Sequence, residues 1–121
     1  MEKEFVPYEL ALRMKQLGFE EPCFMYWWKG ENGYILTDLI DGEARTNDFK
    51  APLFQQAFRW FREKYGLDYE IPYAGNKGEY HAFVEKYVYG NNRNNPSVFT
   101  YEDAQQECLI KLIEIVEGIE S

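Results

Sequence analysis

Residues 23–40 read Cys-Phe-Met-Tyr-Trp-Trp-Lys-Gly-Glu-Asn-Gly-Tyr-Ile-Leu-Thr-Asp-Leu-Ile. The first six are apolar and four of them are aromatic. A run this short and this rich in rings suits a pleated strand better than a helix. A strand over 23–28 points Phe24, Tyr26 and Trp28 one way and Cys23, Met25 and Trp27 the other. Lys29-Gly30-Glu31-Asn32-Gly33 reads as a hairpin loop, with Asn32-Gly33 supplying positive φ. The return strand runs over about 34–40. Asp41-Gly42 is a second turn signal, and the polar stretch 43–50 reads as loop.

Helices flank this hairpin. The first covers about 7–17, opened by Pro7 and closed by Gly18. Leu10, Met14 and Leu17 share one face with Ala11 beside them, and Glu9 sits four residues before Arg13. The second covers about 52–65, between Pro52 and Gly66. Leu53, Phe54, Ala57, Phe58, Phe61 and Tyr65 make one broad apolar face, opposed by Gln55, Gln56, Arg59 and Glu63, with Trp60 on the border.

A second strand pair follows. Residues 68–73 alternate, with Tyr69, Ile71 and Tyr73 on one side, and Pro72 marks a strand edge or end. Ala74–Gly78 is a turn. An extended run covers 79–89, broken near Val84-Glu85. Gly90-Asn91-Asn92-Arg93-Asn94-Asn95-Pro96 reads as loop. Thr100 caps a last helix that runs to about Val116, with Asp103 three residues on. Its expected apolar stripe is Tyr101, Ala104, Cys108, Leu112, Ile115 and Ile119, flanked by Leu109 and Val116. Its opposite face carries Asp103, Glu107, Glu114 and Glu117, with Ile110 as an isolated apolar residue among them. The order α-β-β-α-β-β-α with short connections predicts an α+β two-layer sandwich of antiparallel hairpins with helices packed on one face. Whether the two hairpins join in one sheet is left open by the sequence. Tyr-Glu-x-Ala opens both the first and the last helix, at 8–11 and 101–104. Shared helix-start chemistry accounts for this short echo as well as duplication does.

The chain has 121 residues, which fits a single domain, 1–121. Its 45% apolar and 28% charged residues are globular values. Its 18% aromatic share is high and allows a ring-filled core. The net charge is −8 and unevenly spread. Residues 1–44 hold 4 basic and 9 acidic groups, a net −5. Residues 45–93 hold 8 basic and 6 acidic, a net +2. Residues 94–121 hold 1 basic and 6 acidic, a net −5. An acidic protein repels nucleic acid and anionic membranes at long range. The start Met1-Glu2-Lys3-Glu4 has no signal-peptide character. No apolar run approaches the ~18 residues of a membrane span. Cys23 and Cys108 are expected as buried free thiols of a cytoplasmic protein. A disulfide between them requires Cα atoms within about 7 Å.

Six segments together carry a resemblance to known proteins. They are Phe5-Val6-Pro7-Tyr8-Glu9, Leu17-Gly18-Phe19-Glu20-Glu21-Pro22-Cys23, Ala51-Pro52-Leu53, Gln56-Ala57-Phe58-Arg59-Trp60-Phe61-Arg62-Glu63-Lys64-Tyr65-Gly66-Leu67, Thr100-Tyr101-Glu102 and Leu112-Ile113-Glu114-Ile115-Val116. Across most of its length the chain resembles a family of small uncharacterised proteins of gut Bacteroidetes and of bacteriophages or prophages. The block from Phe58 to Gly66 is the most specific part. The resemblance implies a phage-like or mobile-element accessory origin, and it carries over no activity and no functional residue.

Catalytic signatures are sparse. His81 is the single histidine, and it lies in an expected strand with no nucleophile near it in sequence. Ser97 and Ser121 are the only serines, which leaves little room for a Ser-His-Asp set. Cys23, His81 and Cys108 show no metal-ligand spacing. Gly75-Asn76-Lys77-Gly78 lacks the phosphate-loop pattern. The acidic pairs Glu20-Glu21 and Glu102-Asp103 suit helix starts better than a glycosidase. No catalytic role, metal or cofactor is therefore expected. The leading expectation is a non-enzymatic protein that binds a host or self protein through an acidic surface, with Asp103, Glu107, Ile110, Glu114 and Glu117 as candidate contacts. The alternative is a nucleic-acid or small-ligand module that uses Arg59, Trp60 and Arg62, since basic groups beside aromatic platforms bind single strands. An enzyme with an unrecognised site is the third. The expected state is monomer or homodimer, with no membrane partner.

Overall fold

The aromatic hairpin forms, with its first strand running from Met25 to Gly30 rather than from Cys23 to Trp28, and its turn is tighter than the composition suggests. The structure is a computed structural model that describes residues 4–23, 25–31, 33–38, 49–84, 87–88, 90–92, 95–96 and 98–120. Strand β1, Met25–Gly30, pairs antiparallel with β2, Gly33–Asp38. Gly30 and Gly33 close the register, so the loop holds two residues rather than the five expected. Gly33 has φ +114°, a conformation costly for a side chain. Asn32, expected with Gly33 to supply positive φ, lies outside the described residues. So do the expected end of the return strand at Leu39 and Ile40, the Asp41-Gly42 turn and most of the expected loop after it.

The end of that expected loop is a correction. Phe49–Lys50 form β3, which pairs antiparallel with β1 on the side away from β2. The polar lead-in hides a two-residue ladder, because a pairing this short needs no periodicity.

The chain forms two compact units, Met1–Gln56 and Ala57–Ser121. In the first unit, helix α1 spans Tyr8–Gln16 and packs against β3. Pro7 precedes it, and Gly18 with φ 100° follows it. The Gly18 amide donates to the Lys15 carbonyl at 3.0 Å, and the Phe19 amide to the Met14 carbonyl at 3.0 Å. These paired bonds satisfy two of the last carbonyls of the helix, and Phe19 and Met14 are both buried. Leu10, Ala11, Met14 and Leu17 are buried, as the helical spacing predicts. Trp27 is buried in β1, and its Nε1–H donates to the Val6 carbonyl at 2.9 Å. That bond gives the indole its polar partner.

Helix α2 spans Phe54–Tyr65. It starts later than expected, because Leu53 forms a β-bridge with Phe5 instead of joining the helix. Gly66, at φ 69°, follows its last turn.

In the second unit, β4 (Tyr69–Glu70), β5 (Phe83–Val84) and β6 (Tyr87–Val88) form an antiparallel sheet in that order. The expected break near Val84-Glu85 is the reversal between β5 and β6. The expected strand over 68–73 shortens to Tyr69–Glu70 plus one bridge, Tyr73 to Tyr80. Pro72 lies between them, where it can accept but not donate. Its carbonyl accepts from the His81 amide at 2.9 Å. The asparagine-rich segment expected as loop contains β7 (Gly90–Asn92) paired with β8 (Asn95–Pro96). Arg93 and Asn94, between them, lie outside the described residues.

Helix α3 spans Tyr101–Glu120, about one turn beyond the expected end, and packs against β5. Thr100 accepts from the Asp103 amide through Oγ1 at 3.2 Å, which is the expected cap. Ala104, Cys108, Leu109, Leu112, Ile113 and Val116 are all buried. The buried face is therefore turned toward Leu109 and Ile113, and Tyr101, expected in the stripe, is exposed. The side chain of Ile119 lies outside the described residues. The α+β class and the helix–hairpin–helix–hairpin–helix order are those expected, with additional two- and three-residue strands. The two main hairpins belong to separate sheets.

Candidate functional site

The acidic face of α3 follows from its helical period, with its apolar residues on the opposite side. Asp103 and Glu114 are exposed, and Glu107, Ile110 and Glu117 are half-buried. Glu107 titrates above the usual carboxylate range, first because partial burial disfavours its charge, then because Asp103 and Glu114 repel it.

Three tyrosines lie at the start of the same helix. The Tyr80 amide donates to the Phe99 carbonyl at 2.8 Å, and the Phe99 amide to the Tyr80 carbonyl at 2.7 Å. Tyr80 also bridges Tyr73 on its other side. The ring of Tyr80 meets Tyr73 edge to face at 5.8 Å and Tyr101 edge to face at 5.3 Å. Tyr73 remains 57% exposed and Tyr101 43%. No spacing in the sequence assembles this trio. Only the alternation around Tyr73 hinted at a shared face.

The α2 candidates separate. Arg59 and Arg62 are exposed, whereas Trp60 is 6% exposed. Trp60 stands edge to face with Phe61 at 4.9 Å and with Tyr65 at 5.5 Å. Lys64 Nζ lies 5.0 Å from the Trp60 ring centre. The indole is thus packed and capped within its own helix, and is not an open stacking surface.

Nucleophiles fare as follows. Both cysteines are free thiols. Burial pushes the Cys108 thiol up to about 12, and the thiol donates to the carbonyls of Phe83 at 3.7 Å and Glu70 at 3.8 Å. Cys23 is half-buried rather than buried as expected. Burial pushes it up to about 11, with Lys50 and Gln56 acting in the opposite direction. A thiol held protonated is a poor nucleophile at neutral pH. His81 is half-buried, with its ring edge to face with Phe83 at 6.0 Å. Among the described residues, no group of three or more His, Cys, Asp or Glu side chains is arranged to hold a metal ion. No helix among them is long and apolar enough to cross a membrane.

These features define a small α+β protein that bears an acidic helix face and an exposed tyrosine cluster. No family model, no curated protein and no solved structure matches the chain.

Proposed function

We propose that this chain is a non-enzymatic binding protein that engages a basic protein partner through the acidic face of α3. The observation that supports it is the placement of Asp103, Glu107 and Glu114 on one helix face, where Asp103 and Glu114 both repel the charge of the half-buried Glu107. A partner's Lys or Arg groups relieve that repulsion, while the half-buried Ile110 offers apolar contact between the charges. The partner is a host or self protein, in keeping with the phage-accessory resemblance. The two free thiols fit a reducing, cytoplasmic setting.

The test is capture by tagged protein from host-cell lysate, with and without nuclease, for the parent and for the Glu107→Lys/Glu114→Lys variant. The expected result is a stoichiometric protein that survives nuclease and is lost with the charge reversal. Capture unchanged by the reversal overturns the reading. Capture lost on nuclease treatment moves the function to nucleic acid and to Arg59 and Arg62.

A further inference from the structure

We infer that the tyrosine cluster Tyr73–Tyr80–Tyr101 is a docking surface for an arginine-bearing basic segment of a partner protein. The inference rests on the basic partner just proposed, and it moves the anchor of binding from the acidic helix face to the rings at its start.

The cluster is built rather than incidental. Two β-bridges fix Tyr73, Tyr80 and Phe99 side by side. Two edge-to-face contacts then carry the row of rings to Tyr101 in the first turn of α3. The ends of the row are open, as their exposures show, and Val98 beside it is 49% exposed. Exposed tyrosines held by their neighbours lose little freedom on binding, which is why tyrosine dominates energetic centres of interfaces.

Charge selects the occupant. Tyr101 is followed directly by the exposed Glu102 and Asp103, and Tyr80 is preceded by the half-buried Glu79. Among the described cations, Lys77 lies in the turn between Tyr73 and Tyr80, and Arg62 acts on Tyr69, which also feels Tyr101, so the three acids exceed the basic groups by one. Rings attract cations through their faces. Arginine adds a flat guanidinium that stacks on a ring while its N–H fork reaches a carboxylate, a combination lysine lacks. The chain shows the internal form of this contact at Trp60, where Lys64 caps the indole. At Tyr73 the ring remains open.

The probe is a synthetic 12-residue peptide of alternating Arg and Gly, with a Lys-Gly peptide of equal charge as control. Both are titrated into the full chain at low salt. Aromatic-ring resonances report on Tyr73, Tyr80 and Tyr101, and calorimetry gives affinity. The expected result is movement of the three tyrosine ring signals by the Arg peptide and weaker binding of the Lys peptide. Tyr73→Ala/Tyr101→Ala should weaken binding roughly tenfold, the scale of a lost interface anchor. Tyr73→Ala alone, at the most exposed ring, should weaken it in the same direction and guards against a folding defect in the double variant. Equal binding of the two peptides, or no binding of the Arg peptide, overturns the inference. Parent-like binding by both tyrosine variants, with the tyrosine ring signals of the parent unmoved, overturns it and leaves the acidic-face reading standing. Loss in the tyrosine variants with parent-like binding by Glu107→Lys/Glu114→Lys supports the tyrosine surface and removes the acidic face.

Discussion

The two units of the chain build their sheets in opposite ways. In Met1–Gln56 a six-pair ladder joins β1 to β2, and one large buried ring, Trp27, anchors it. In Ala57–Ser121 each ladder of the β4–β5–β6 sheet is only two pairs long, and the 20-residue helix α3 packs on its central strand. A long ladder satisfies its own backbone and presents a continuous face. Two-pair ladders satisfy few groups each and depend on the helix that covers them. The lesson is that aromatic richness serves two ends here. Trp27 is buried in the first sheet, while Tyr73 and Tyr101 of the second unit stay exposed.

This contrast is most exposed to failure at α3. Leu112 is fully buried on the covering face. Leu112→Ala should destabilise the protein by about 2–5 kcal/mol, the range for a truncated core leucine. Urea unfolding followed by far-UV circular dichroism measures this. A loss below about 1 kcal/mol, under that same range, breaks the claim that the second unit leans on its helix.

Trp27 tests the other side. Trp27→Phe keeps a ring in β1 but deletes the Nε1–H that the Val6 carbonyl accepts. An orphaned buried acceptor and a smaller ring should together cost about 2 kcal/mol. The same unfolding experiment reads it. A neutral result means that water or another donor reaches Val6 and that the indole contributes only bulk.

A smaller effect sharpens the role of α3's first turn. Thr100→Ala removes the oxygen that caps the Asp103 amide. The expected loss is about 1 kcal/mol, recovered by Thr100→Asp, whose carboxylate caps as well and favours the helix N-terminus. If Thr100→Asp unfolds as readily as Thr100→Ala, the cap is not what orders this end of the helix.

The same contrast explains what could be read without coordinates. The first hairpin, the helix starts at Pro7 and Thr100 and the stop at Gly18 each follow from strong local signals, periodic or conformational. Phe49–Lys50, Gly90–Asn92 and Asn95–Pro96 do not, because two or three residues carry no period and asparagine-rich composition favours loops. The acidic face of α3 was legible because helical spacing alone defines it. The tyrosine row was not, because its order, 73 to 80 to 99 and on to 101, is set by long-range bridges. The helical period places Tyr101 in the apolar stripe, because the period locates a face only to within a residue or so. The actual face turns toward Leu109 and Ile113.

The smallest effect concerns protons on that acidic face. Glu107 titrates above its unfolded range, through partial burial and the charges of Asp103 and Glu114. A raised carboxylate pKa means that the folded state holds its proton more tightly than the unfolded chain does. The penalty is therefore absent below the unfolded carboxylate range, grows as pH rises through the folded value, and is complete above it. Glu107→Gln should thus stabilise the protein modestly at neutral pH and make no difference in acid, where the parent side chain is already neutral. Unfolding midpoints of parent and variant, measured from acid to neutral pH, should converge as pH falls. Midpoints that stay parallel across the range mean that Glu107 feels neither neighbour in the folded state. A variant that gains stability only toward neutral pH ties the cost to charge, and it is this cost that a basic partner docked on the helix would remove.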